Sequence, residues 1–129
     1  LKGEITQYDI IRVLPFGGKI YQAEIKGSLL RQIIETGMNN KGNGGFLQFY
    51  GIESTASGWK AKGELIDDNK IYNAAVSDFL LTGMEQNFAY LTKDNPGIVK
   101  LTMPDPNVKS DLRNDIRFAV IKYFEKWNR

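Results

Sequence analysis

The chain has 129 residues, 42% of them hydrophobic, which is enough to bury one core and short for two. Seventeen basic and fifteen acidic residues leave a net charge of +2 with no charge runs, so nothing in the balance requires a nucleic-acid polymer or another polyanion as partner. Cys and His are both absent, which excludes disulfides, thiolate chemistry, a Ser-His-Asp site and a self-contained histidine-ligated zinc centre.

In chain order, Thr6 stands three residues before Asp9, the spacing of a helix N-cap with an acidic first turn, and predicts a short helix through Tyr8, Ile10, Ile11, Val13 and Leu14. Pro15 stops it, and Phe16-Gly17-Gly18 is a turn. Alternation from Lys19 to Lys26, with Tyr21, Ala23 and Ile25 on one face, predicts a half-buried strand. Leu29, Leu30, Ile33 and Ile34 then fall on one helical face, with the helix expected to end near Gly37. Residues 39–45 are an Asn/Gly-rich loop, and strand is expected again over Phe46 to Tyr50. Two edge strands flank a turn at Ser57-Gly58, Asp67-Asp68-Asn69 is a polar turn, Ile71 to Ser77 is a strand, and Val99 to Met103 is a last strand, broken by Pro104 and Pro106. A closing helix is expected from a Ser110 cap, carrying Leu112, Ile116, Ala119, Val120, Tyr123 and Trp127 at three- and four-residue spacing. This order predicts an α+β domain with a mixed β-sheet packed with helices, a single unit over residues 1–129. No apolar run of spanning length and no basic-then-apolar leader is visible. The start at Leu1-Lys2-Gly3, without Met, leads us to expect a piece of a longer protein.

Two stretches invite a phosphate or metal reading and fail it. Gly42-Asn43-Gly44-Gly45 lacks the Lys-Ser/Thr of a phosphate-cradling loop, and Asp67-Asp68-Asn69 fits a turn better than a metal cluster.

Five pieces carry more information together: Gly3-Glu4-Ile5-Thr6, Val13-Leu14-Pro15-Phe16-Gly17-Gly18, Ile25-Lys26-Gly27-Ser28-Leu29-Leu30, Gly45-Phe46-Leu47-Gln48, and Ile71-Tyr72 running into Ser77-Asp78-Phe79-Leu80-Leu81-Thr82-Gly83. In order and spacing they resemble the C-terminal domain of the 5'-nucleotidase / UDP-sugar hydrolase family. The resemblance implies that Phe16, in its turn with Gly17, and Phe79 sandwich a nucleobase. Stacking on an aromatic ring suits such a role, because every base has two π faces. It also implies that the loop after Phe79 holds the sugar. That loop is Gly83-Met84-Glu85-Gln86-Asn87 here, where the family has Gly-Gly-Asp-Gly. Gly83 keeps the first glycine, and Glu85 is the nearest carboxylate to accept from ribose hydroxyls.

By the same resemblance, this domain itself carries no cofactor. Divalent metals such as zinc, with their His/Asp/Asn ligands, belong to an N-terminal metallophosphatase domain of the same parent chain. The whole would be a phosphoric ester hydrolase of nucleotide catabolism, periplasmic or extracellular, in which this domain binds and positions nucleoside or nucleotide without turnover. The alternative is a repurposed ligand-binding or interaction module that has lost nucleotide binding, for which the altered loop is the main sign.

Overall fold

A computed structural model describes residues 4, 6–13 and 17–127 of the chain. Helix α1 spans Gln7–Val13 and begins as expected. The Asp9 amide donates to Thr6 Oγ1 at 3.2 Å, while the Asp9 carboxylate accepts from the Thr6 amide at 2.9 Å, a reciprocal cap that satisfies donors with no intrahelical partner.

Strand β1 (Ile20–Lys26) sends Tyr21, Ala23 and Ile25 into the core, as its alternation predicts. It is the central strand of a three-stranded sheet, between β5 (Ile71–Ser77) and β6 (Ile98–Thr102). Helix α2 (Gly27–Asn39) covers the apolar face of that sheet with Leu29, Leu30, Ile33 and Ile34. The opposite face carries Gln22, Glu24, Asn73, Lys100 and Thr102 around an open groove. A second sheet is a meander of β2 (Ile52–Thr55), β3 (Gly58–Ala61) and β4 (Glu64–Leu65), and its Trp59 packs edge-on to Phe49, ring centroids 6.5 Å apart. Helix α3 (Ile116–Trp127) closes the chain and lies against α1.

The α+β class stands, but every strand pairing among the described residues is antiparallel, where the sequence reading expected a mixed sheet. Pairing direction depends on how the long 78–97 connection returns to the sheet, and no local pattern encodes that. Three boundaries also move. Helix α2 runs through Gly37, where a Cβ would stand 2.8 Å from Leu47 Cβ, so this glycine makes room for a neighbour instead of ending the helix. Residues 46–50 form no strand, because Leu47 packs on Gly37 and Phe49 on Trp59 with no ladder partner. The closing helix starts after Asp115, not at Ser110: Asp111 Oδ1 accepts from the Arg113 amide at 3.0 Å and closes a 3-10 turn, and Asp115 Oδ1 then accepts from the Arg117 amide at 2.9 Å and caps α3.

These two aspartates give the fold an acid-sensitive edge. The Arg113 side chain, bonded to both oxygens of Asp111, holds its carboxyl down at about 2 against an ordinary 3.8, and Arg117 holds Asp115 below the usual range in the same way. A pKa lowered by folding contributes stability above the unfolded value of 3.8, and that contribution is lost as pH falls toward about 2. Thermal denaturation is therefore expected to show Tm falling between pH 4 and pH 2, with a shallower fall in Asp111→Asn. Identical profiles for the two proteins would refute this assignment.

Candidate functional site

Phe16 lies outside the described residues, so the geometry starts at Gly17. The Gly17–Lys19 backbone is stitched on two sides. Ile116 N donates to Gly18 O at 2.8 Å, and Asp78 N donates to Lys19 O at 2.9 Å. A Cβ on Gly17 would stand 2.8 Å from Arg117 Nη2 and 2.9 Å from Asp115 Oδ2, and one on Gly18 would stand 3.3 Å from Asp78 Oδ1. A side chain on Gly17 would therefore have to displace the ends of the Asp115–Arg117 ion pair, which is 2.8 Å long. The start of α3 and the residue preceding Phe79 meet at Gly17-Gly18-Lys19.

Phe79 opens a 3-10 helix, Phe79–Leu81, directly after β5. Asp78 caps it, its carboxylate accepting from the Phe79 amide at 2.8 Å, and Thr82 Oγ1 donates to Phe79 O at 2.6 Å. Leu80 and Leu81 are buried, yet the Phe79 side of this tight turn keeps 48% of its surface in solvent. A large aromatic held at the surface by core neighbours is displayed by the fold.

Beyond it, Gly83 has φ +74, which favours glycine, and a Cβ there would also stand close to Thr92 Cγ2 at 3.0 Å and Ala89 O at 3.1 Å. Glu85 is half-buried. Its Oε1 accepts from the Gln86 amide at 2.9 Å, and its stem lies over Gly45, where a Cβ would stand 3.1 Å from Glu85 Cγ. The Asn/Gly-rich loop is therefore the floor beneath Glu85. Gly45 and Asn40 are the residues that sequence reasoning missed, and the one available sign was the Gly45-Phe46-Leu47-Gln48 piece of the family pattern. Phe79, Gly83 and Glu85 occupy one continuous segment after β5, and Gly17 joins it through Gly18 and Asp78.

Among the described residues, no group of three or more Asp or Glu side chains is placed to hold a metal ion. Among the same residues, no helix is long and apolar enough to cross a membrane.

The fold is an α+β domain that displays one aromatic ring and a carboxylate-bearing loop after β5, and comparison with known proteins supplies its family. The family model described as 5'-nucleotidase, C-terminal domain, matches residues 1–93, and the chain belongs to that family. It is 41% identical over 56 residues to the trifunctional nucleotide phosphoesterase protein YfkN of Bacillus subtilis, covering 42% of this chain and 4% of that protein. It is 32% identical over 87 residues to protein UshA of Yersinia enterocolitica, covering 63% of this chain and 16% of the relative. The structure of the NAD nucleotidase NadN of Haemophilus influenzae superposes with a TM-score of 0.67 at 24% identity, over 94% of this chain and 24% of that one, and shows the same fold. The chain thus spans a quarter or less of each of these proteins.

Proposed function

We propose that this chain binds the nucleoside part of a nucleotide and positions it for a metal-dependent hydrolase domain of the same parent protein, of 5'-nucleotidase or nucleotide-sugar hydrolase type. The half-exposed Phe79 ring, held at the surface while its two successors are buried, carries the reading. Family membership and the nucleotide-directed names of two similar proteins support it.

In this reading the base stacks on Phe79, with Phe16 as the second face, and the Glu85 carboxylate accepts from ribose hydroxyls. Gly17 and Gly83 keep the two loops close-set. Divalent metals such as zinc, held by the other domain, supply the activated water that attacks phosphorus. This chain supplies orientation: fixing base and sugar confines the phosphate to a small volume and removes most of the entropy of a bimolecular encounter. An extracytoplasmic location belongs to the same proposal and follows from the family resemblance.

The test is a titration of the 129-residue chain with adenosine monophosphate, followed by amide shifts in NMR. With stacking as the main attraction and no metal to grip the phosphate, a Kd of about 0.1–10 mM is expected. Phe79→Ala should weaken binding by about 5- to 150-fold, the equivalent of one stacked face, with Tm little changed because the ring is half in solvent. Equal affinity in both proteins would remove Phe79 from the site. No shifts at millimolar ligand would favour a repurposed interaction module.

A further inference from the structure

Asn40 is the first residue after α2 and is 1% exposed, the only buried polar side chain among the described residues. An amide taken out of water needs partners for its donors and its acceptor, and Asn40 has them. Its Nδ2 donates to Gly45 O at 3.1 Å and to Gln86 O at 2.8 Å, and its Oδ1 accepts from Asn87 Nδ2 at 2.7 Å. One side chain thereby joins the loop after α2 to the loop after Phe79, which lies 46 residues away in sequence.

Both loops adopt backbone conformations that few residues take, and they do so at the points of attachment. Gly45 has φ +81 and Asn87 has φ +65. A Cβ on Gly45 would stand 2.7 Å from Asn40 Nδ2 and 3.1 Å from Glu85 Cγ, so the bare glycine lets Asn40 reach one face and Glu85 lie on it. Glu85 is consequently held at two points. Asn40 anchors the carbonyl of the next residue, Gln86, and also anchors the Gly45 floor under the Glu85 stem. The Gln86 amide occupies Glu85 Oε1, so Oε2 is the oxygen assigned to a ligand.

We infer that Asn40 is a positioning residue for sugar recognition: a buried latch that places the Glu85 carboxylate, so that discrimination of ribose hydroxyls depends on a side chain that never meets the ligand. This inference rests on the proposed role of Glu85 at the sugar. A purely structural residue would change stability, or weaken all ligands alike. A latch on Glu85 alters the response to the hydroxyls and leaves base stacking as it was.

The test compares adenosine monophosphate with 2',3'-dideoxyadenosine monophosphate on the 129-residue chain, by NMR titration at pH 7. The wild-type chain is expected to prefer the ribonucleotide by about 3- to 10-fold, the net worth of an ordinary hydrogen bond, because the site is partly solvated. Asn40→Ala should bring that ratio to about one, with affinity for the dideoxy ligand unchanged. Should Asn40→Ala fail to fold, Asn87→Gly serves in its place. It keeps the left-handed backbone available, removes the donor to Asn40 Oδ1, and should at least halve the ratio. A folded variant that keeps the wild-type ratio overturns the latch, as does one that loses both ligands in equal measure. A wild-type ratio of one overturns the role of Glu85 and the latch with it, whereas a preference that Glu85→Gln abolishes and Asn40→Ala preserves overturns the latch alone.

Discussion

Phe88→Ala is expected to lower the free energy of unfolding by about 3–5 kcal/mol, a large part of the ~5–15 kcal/mol available to a domain of this size. Phe88 is fully buried, and its backbone is tied on both sides, its amide donating to Glu85 O at 3.0 Å and its carbonyl accepting from Leu91 N at 2.9 Å. Its ring lies 5.9 Å from that of Tyr90, whose hydroxyl contacts Thr36 Oγ1 at 2.7 Å and donates to Gln32 O at 3.1 Å on α2. The Phe88–Tyr90 pair therefore roots the loop that carries Glu85 onto the helix that ends at the Asn40 latch. Removing the Phe88 ring leaves a cavity that these hydrogen bonds hinder from collapsing, which places the cost toward the upper end of the range. Urea denaturation at 25 °C measures it. A midpoint shift worth less than about 1 kcal/mol at unchanged m would mean that the loop closes the cavity without cost.

Gly27→Ala is expected to destabilise by about 2–3 kcal/mol, against the helix propensity of the two residues, which favours Ala by about 1 kcal/mol. A Cβ at this position would lie 1.8 Å from Asp67 O and 2.7 Å from Asp67 C, and backbone cannot rotate away as a side-chain tip can. The turn it would have to displace is fastened to this spot: Gly27 N donates to Lys70 O at 2.8 Å, and Arg31 Nη2 bonds Ile66 O at 3.0 Å and pairs with Asp68 at 2.6 Å. Sterics decide the sign. Gly44→Ala is the control, because its φ is ordinary and the nearest atom, Glu85 Oε1, is 3.9 Å away, so its Tm should hardly move. A Gly27→Ala chain at least as stable as the parent in thermal denaturation would show that the Asp67–Lys70 turn is free to shift.

Much of the scaffold follows from the sequence by local physics. The alternation of Tyr21, Ala23 and Ile25 can bury one face only as a strand, and Leu29, Leu30, Ile33 and Ile34 share a face only on a helix. Thr6 with Asp9, and Asp67 with Asn69, close their turns through bonds spanning two or three residues, as their spacing requires. Phe79, Glu85, Gly17 and Gly83 could be named in advance through a family pattern, which identifies residues without showing how they are held.

What the tertiary structure decided is contact between distant segments. Two carboxylates open the chain's last helical region, Asp111 accepting from the Arg113 amide and Asp115 from the Arg117 amide, where sequence spacing points to Ser110. Gly37 stays helical because Leu47 returns to cover it, and Gly17 lies under the ends of an ion pair that comes about a hundred residues later. Asn40 looks like one more polar residue of an Asn/Gly loop, and nothing local distinguishes it from Asn39 or Asn43. Gln86 and Asn87, more than forty residues on in sequence, bond to it where it is buried, and burial is what turns an ordinary amide into an anchor whose every hydrogen bond must be met.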